Sequence, residues 1–319
     1  MKKILYCMRH ALPGAWESAN WLLKLMIPIS LAVTLLQHFG ILDLAARFLH
    51  PFFFVHLGLP GSSAITFISG AAAGTYAGIA AMMSMPLTMK QATILSLMIA
   101  LCHALPMECA VNKKTGSSFW KMALIRIIMA FACAAILNLL LAPDTTPYLY
   151  IGAETGSTLA QVMQTWVVSQ IQMSLTVALI IYILMVIQRM IEAYKLLTPL
   201  SHFFAPLMCI FGLPRQAAYM WLVGNILGIS YGSAVMVELE DKGLINRNDA
   251  NDVNYHLIMN HSMLEDTIVF ASTGIPAILI ISTRISFALA LVWLRKATRT
   301  LIHNNHLNYA HTHTTCRPL

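Results

Sequence analysis

The chain has 319 residues, 58% of them hydrophobic and 10% charged, with a formal net charge of +7. A soluble domain carries roughly a quarter charged residues, so an ordinary soluble enzyme is excluded and an integral membrane protein is expected. The positive balance does not point to nucleic acid, because the basic residues flank apolar runs instead of forming a binding stripe.

Residues 1–19 read as a short amphipathic cytoplasmic segment. They are not a signal peptide, since Arg9, His10 and Pro13 interrupt the apolar run too early. The first span covers Asn20 to Phe39, with Lys24 snorkelling to the interface. Ile41 to Val55 is amphipathic and lies near the membrane surface. Gly61 to Met85, marked by Gly70, Gly74 and Gly78, reads as a second span. Gln91 to Met107 is apolar but short, and His103, Pro106 and Glu108 interrupt it, which predicts a re-entrant or broken helix with Pro106 supplying the break. Phe119 to Ala142 is a third span, and a polar loop follows over 143–160. The order then repeats: a span over Trp166 to Ile187, a surface segment over Ala193 to Phe211, and a glycine-marked span over Arg215 to Val237. After these come a polar stretch over Glu238 to Asp252, a polar broken segment over Tyr255 to Thr267, and a last span over Pro276 to Leu294. The tail, 298–319, carries His303, His306, His311, His313 and Cys316 and reads as solvated, since the spacing matches no closed metal site. The six cysteines are scattered through apolar surroundings and read as small core residues.

The repetition is internal duplication. Gly58-Leu59-Pro60, Gly70, Gly74 and Gly78 return as Gly212-Leu213-Pro214, Gly224, Gly228 and Gly232 at a constant offset (212 − 58 = 154). His103, Glu108 and Arg126 return as His261, Asp266 and Arg284 at a slightly longer one (261 − 103 = 158). Two copies, 20–142 and 161–297, are therefore expected. Lys2, Lys3, Arg9, Lys90, Lys113, Lys114, Lys121, Arg189, Lys195, Arg215, Arg295, Lys296, Arg299 and Arg317 fall on one side of this arrangement, against Arg47, Lys242 and Arg247 on the other. That asymmetry places both termini in the cytoplasm, Lys113-Lys114 with them, and Thr145 and Asp241 outside. An odd number of spans per copy predicts an all-α polytopic fold with two inverted repeats, each about three transmembrane helices plus a re-entrant or broken helix.

The glycine rows, Gly70, Gly74, Gly78 and Gly224, Gly228, Gly232, would lie on one helix face, either for close helix packing or to let a helix slide beside a ligand. The stronger signal is the set of polar groups in apolar surroundings. Each charge at mid-membrane costs ~3 kcal/mol on the insertion scale unless it pairs or meets water. The structural reading pairs Glu108 with Arg126 and Asp266 with Arg284 as a scaffold. The functional reading makes His103, Glu108, Asn225, Ser230, Asn260, His261, Glu265 and Asp266 a substrate site, with Arg126 and Arg284 balancing charge.

The Gly-Leu-Pro segments and their polar followers resemble the nucleoside-recognition gate domain. That group includes sporulation-maturation membrane proteins, and related segments occur in ferrous-iron transporters and concentrative nucleoside transporters. The resemblance implies binding or transport of a small polar solute, a nucleoside first, in a bacterial inner membrane. The lipid bilayer is the surrounding partner. A proton or sodium is the candidate coupling ion, and a second copy or second gate protein the candidate protein partner. No phosphate loop of the Gly-x4-Gly-Lys-Ser/Thr kind is present, so no GTPase accompanies it. The rival classes are a non-transporting membrane module paired with a second gate protein in envelope or developmental assembly, and an intramembrane metalloenzyme. The absence of a His-Glu-x-x-His spacing argues against the last. No enzyme activity, cofactor, metal or nucleic acid is expected.

Overall fold

The computed structural model describes residues 2–149 and 158–313. Among the described residues the first copy supplies α1 (Lys2–His38), α2 (Ile41–Leu57), α3 (Ser63–Ala73), α4 (Thr75–Met83), α5 (Met89–Cys102), α6 (Leu105–Lys114) and α7 (Phe119–Leu140). The second supplies α8 (Leu159–Ala193), α9 (Leu197–Ile210), α10 (Ala218–Ile226), α11 (Ile229–Asp241), α12 (Arg247–Asn260), α13 (Met263–Ser272) and α14 (Ala277–His313). Seven helices answer seven in the same order. Among the described residues, five stretches are long and apolar enough to cross a bilayer: Lys3–His38, Met89–Lys114, Phe119–Leu140, Leu159–Ala193 and Ala277–Leu301. The chain is an all-α, multi-span membrane protein.

Residues 1–19 were expected as a separate segment, but α1 runs unbroken from Lys2 with Pro13 and Pro28 inside it. Its 37 residues make about 55 Å of helix at ~1.5 Å per residue, more than the ~30 Å apolar core of a bilayer. It packs along α8 in antiparallel sense: Lys3 Nζ donates to Ala193 O, Tyr182 Oη to Met8 O, and Trp166 Nε1 to Ser30 Oγ at 3.1 Å.

The glycine-marked segments are not continuous spans, and their glycines do not share one helix face. Helix stops at Gly74 (φ +105°) and at Gly228 (φ +93°), a left-handed backbone region that side chains rarely adopt. Each segment then folds back on itself. A Cβ added at Gly78 would lie 3.1 Å from the Cα of Gly70. Eight residues of unbroken helix would separate such positions by about 12 Å. One at Gly232 would lie 2.9 Å from the Cα of Gly224. The outer glycines of each row thus let two short antiparallel helices touch, and the middle one turns the chain.

The next segments are interrupted but do not fold back. α5 gives way to α6 at His103-Ala104, and α12 to α13 at His261-Ser262, with Ala104 (φ +45°) and Ser262 (φ +50°) left-handed. Pro106 was expected to cause the first break; it sits instead in the opening turn of α6, where its missing N–H costs nothing. Each break is latched to the hairpin of its own copy, since Ala104 N donates to Gly70 O at 3.1 Å and Ser262 N to Gly224 O at 3.0 Å. The interrupted helix is thus broken, one of the two forms expected of it, while the re-entrant form belongs to the glycine-marked hairpin that was expected to span.

A hairpin returns the chain to the side it left. Asp241, expected opposite Lys113-Lys114, therefore lies on the same side. Ser117 Oγ donates to Asn251 Oδ1 at 2.8 Å, and Asn254 Nδ2 to Thr115 Oγ1 at 2.8 Å. Lys90 moves the other way, because Met89 N donates to Thr146 O and Tyr148 N to Leu87 O, both at 2.8 Å, joining the start of α5 to the 143–160 loop. The tail's histidine and cysteine side chains lie outside the described residues.

α5 and α12 form the centre of the bundle. Both start at capped positions 158 apart (246 − 88 = 158). Thr88 and Gln91 form a capping box, and Asn246 accepts from Asp249 N at 2.9 Å. Both are buried from their second turn onward.

Candidate functional site

The two breaks meet at the centre of the molecule. Each interruption leaves carbonyls at the end of one helix without intrahelical partners. In each copy an arginine from the following long helix takes them up. Arg126 Nε donates to Leu101 O at 3.0 Å, and Arg284 Nε to Met259 O at 2.9 Å. The same guanidiniums grip the carboxylate in the first turn of the next short helix. Arg126 Nη1 donates to Glu108 Oε2, and Arg284 Nη1 to Asp266 Oδ2 at 2.7 Å. Arg284 Nη2 adds a bond to His261 O at 2.7 Å. Each arginine therefore staples a broken helix, and both are fully buried at 0% exposure. The carboxylates gain further from lying at helix N-termini.

The copies are joined across this centre. His103 and His261 close α5 and α12 as C-caps. Their Nδ1 atoms donate to carbonyls one turn back, Ile99 O at 3.2 Å and Leu257 O at 2.8 Å. Both Nε2 atoms face Glu108 Oε1, at 3.2 Å from His103 and 3.0 Å from His261. His103 Nε2 also lies 3.8 Å from Asp266 Oδ2. The tip of the first hairpin reaches over: Thr75 Oγ1 donates to Asp266 Oδ1 and Tyr76 Oη to Glu265 Oε1, both at 3.1 Å.

Beside this network opens a cavity of about 630 Å³, lined by Glu17, Ser18, Asn20, Trp21, Leu22, Lys24, Tyr76 and Glu265. Of the substrate residues named from sequence, Glu265 lines it. His103, Glu108, His261 and Asp266 are buried behind it. Asn225 is turned back inside α10, its Nδ2 donating to Trp221 O at 2.9 Å. Asn260 faces His256 in α12, and Ser230 is exposed on α11 away from the cavity. Arg126 and Arg284 hold the positions described, and the six named glycines belong to the two hairpins. Glu17, Asn20 and Trp21 were missed, and Lys24, read as snorkelling, faces this cavity. Their signal was available: positions 17, 20, 21 and 24 follow helical spacing and put three polar groups and an aromatic ring along one face of an apolar helix.

Fold and network together define a class: an all-helical membrane protein of two copies whose interrupted helices are stapled by buried ion pairs. Residues 20–118 match the Gate family, described as nucleoside recognition. Over 300 residues the chain is 29% identical to the uncharacterized membrane protein YvoD of Bacillus subtilis (strain 168), covering 91% of this chain and 93% of YvoD. Among solved structures, CNTnw in an inward-facing substrate-bound state superposes with a TM-score of 0.45 at 13% identity, over 85% of this chain and 73% of that one. A double variant of CNTnw in an outward-facing state gives 0.44 at 13% identity, over 91% and 82%.

Proposed function

We propose that the chain binds a small polar solute and carries it across the membrane, with a nucleoside as the substrate class. The carrying observation is the cavity of about 630 Å³, which takes its walls from both copies through Tyr76 and Glu265. Its size is that of a small-molecule site, and its lining mixes flat apolar surface with a few polar groups. Trp21 and Tyr76 offer faces for a base. Glu17, Asn20, Lys24 and Glu265 offer partners for hydroxyls and ring edges. The Gate match over 20–118 supports the same class of ligand.

The copies enter the membrane in opposite senses in this reading. The antiparallel packing of α1 and α8, which are equivalent elements, supports it. Both termini lie in the cytoplasm of a bacterial inner membrane. The hairpins strengthen the charge asymmetry behind that orientation: Lys242 and Arg247 join Lys3, Lys113, Lys114, Lys195, Arg295 and Lys296, leaving Lys90 and Arg47 opposite. A proton is the coupling ion this reading favours, because Glu265 lies between the cavity and the buried network.

Reconstituted vesicles test the proposal with labelled nucleosides, nucleobases and amino acids. Nucleoside uptake is expected, with Glu265→Gln reducing it by more than tenfold while the thermal midpoint holds. Uptake of another solute class alone would replace the substrate. No solute-dependent uptake or stabilisation at all would overturn the reading.

A further inference from the structure

We propose that His103, His261 and Glu108 form a binding site for a divalent transition-metal cation of the zinc or ferrous class, shared between the two copies. The three side chains each offer one ligand atom to the same small space. His103 Nε2 and His261 Nε2 lie 3.2 and 3.0 Å from Glu108 Oε1, and all three atoms fall within 4.8 Å of one another. An ion bound tetrahedrally with bonds of about 2.0–2.1 Å needs ligand atoms roughly 3.3 Å apart. Two of the three separations already match that edge.

The protonation pattern points the same way. A backbone carbonyl only accepts, so the Nδ1 atoms that meet Ile99 O and Leu257 O carry the ring protons. In the neutral rings both Nε2 lone pairs then face a carboxylate oxygen. A single proton between Glu108 and one ring leaves the other ring as an acceptor against an acceptor. One cation satisfies all three at once. Imidazoles held through Nδ1 on a carbonyl have the orientation that metal-ligating histidines need. The carboxylate is likewise fixed, its second oxygen taken by Arg126. Two imidazole nitrogens and one carboxylate suit zinc or ferrous iron and not magnesium or calcium, which require oxygen donors. Asp266 Oδ2, 3.8 Å from His103 Nε2, is a further oxygen beside the site. Asp266 also balances Arg284, so the two guanidiniums facing the site are each matched by a carboxylate.

His103, Glu108 and His261 do not line the solute cavity, and neither reading requires the other. The test uses the full chain in detergent, stripped by chelator and titrated with cobalt(II) as a spectroscopic probe. One cobalt per chain is expected, with the visible absorption of a low-coordinate nitrogen and oxygen site. His103→Gln and His261→Gln should each weaken binding at least tenfold, while a chain with His303, His306, His311 and His313 all replaced by alanine binds as the parent does. The metal-free thermal midpoint checks that each variant is folded. As a second measure, zinc should raise the midpoint of the parent and of the tail variant but of neither histidine variant. No cobalt on folded parent, unchanged binding in both histidine variants, or loss of binding in the tail variant overturns the proposal.

Discussion

α5 and α12 stand at equivalent places in the two copies, and both are buried, yet their chemistry differs. α5 is apolar nearly all round. α12 buries Asp252, Asn254, His256 and Asn260. Each of the first three is held by a partner on another element. Asp252 meets Arg295 at 2.7 Å and Arg299 at 3.0 Å on α14. Asn254 reaches Thr115 and Ser117 in the first copy, and His256 accepts from Trp221 Nε1 at 3.1 Å on α10. Duplication has kept the backbone devices, namely the N-cap, the break, the hairpin latch and the arginine staple. Side chains between them were free to diverge. An apolar helix tolerates sliding and rotation in an apolar bundle, whereas one that buries four polar groups is pinned in register by them. The hairpin tips differ in the same way. Thr75 and Tyr76 of the first are tied to the second copy, while the equivalent Ile229 and Ser230 carry no such bond.

The largest effect that probes this comparison lies in the staples. Arg284→Met should strand Asp266 and free two carbonyls, a change of about 3–5 kcal/mol for a broken buried pair. Folded yield should collapse, and further than for Arg126→Met, because Arg284 makes the additional bond to His261 O. Equal yields would show that the two copies bear the load alike. The matched amides sharpen the point. Glu108→Gln and Asp266→Asn keep shape and lose charge, so unfolded protein from both would make the network a scaffold, and folded protein with altered ligand response would make it part of the site.

Next come the hairpins. Gly232→Ala places a Cβ 2.9 Å from the backbone of Gly224, against 3.1 Å from Gly70 for Gly78→Ala. Overpacking of this kind costs about 1–3 kcal/mol, so both thermal midpoints should fall, that of Gly232→Ala further. A reversed order would mean that the second hairpin yields more readily.

The smallest effect compares one position in the two core helices. Asn254→Ala removes the bonds to Thr115 and Ser117, whose hydroxyls keep their bonds to Asn112 O and Asn251 Oδ1, at about 1 kcal/mol. Ser96, its counterpart (254 − 96 = 158), bonds only Met82 Sδ at 3.4 Å, so Ser96→Ala should shift the midpoint by no more than ~0.5 kcal/mol. Chemical denaturation of the two side by side reads the difference.

Much of this was legible in the chain itself. Constant offsets reveal a duplication whatever the fold, and charges in apolar runs must find each other, so the pairing of Glu108 with Arg126 and of Asp266 with Arg284 could be named in advance. The break after residue 102 was legible too, though not its cause. The hairpins were not. Glycines spaced by four look the same whether they line one helix or flank a turn between two, and only a positive φ at Gly74 and Gly228 tells these apart. The error carried over into topology: reading each hairpin as a span and the broken helix after it as re-entrant puts the stretch between them, Lys90 in one copy and Asp241 in the other, on the wrong face. The bonds from Thr75 and Tyr76 to Asp266 and Glu265 join residues 191 and 189 positions apart, and no local pattern encodes such a meeting.

The spacing of the staples also bears on how the chain is made. Glu108 and Arg126 are 18 residues apart, as are Asp266 and Arg284, and only the four residues 115–118 and 273–276 separate the helices that carry them. A helix carrying a bare guanidinium two turns inside its apolar span is a poor passenger into lipid, at up to ~3 kcal/mol on the insertion scale. Here the carboxylate leaves the ribosome first and waits one short turn away. α6 with α7, and α13 with α14, thus bring each guanidinium and its carboxylate into the membrane on adjacent helices, close enough in sequence to pair without waiting for the other copy.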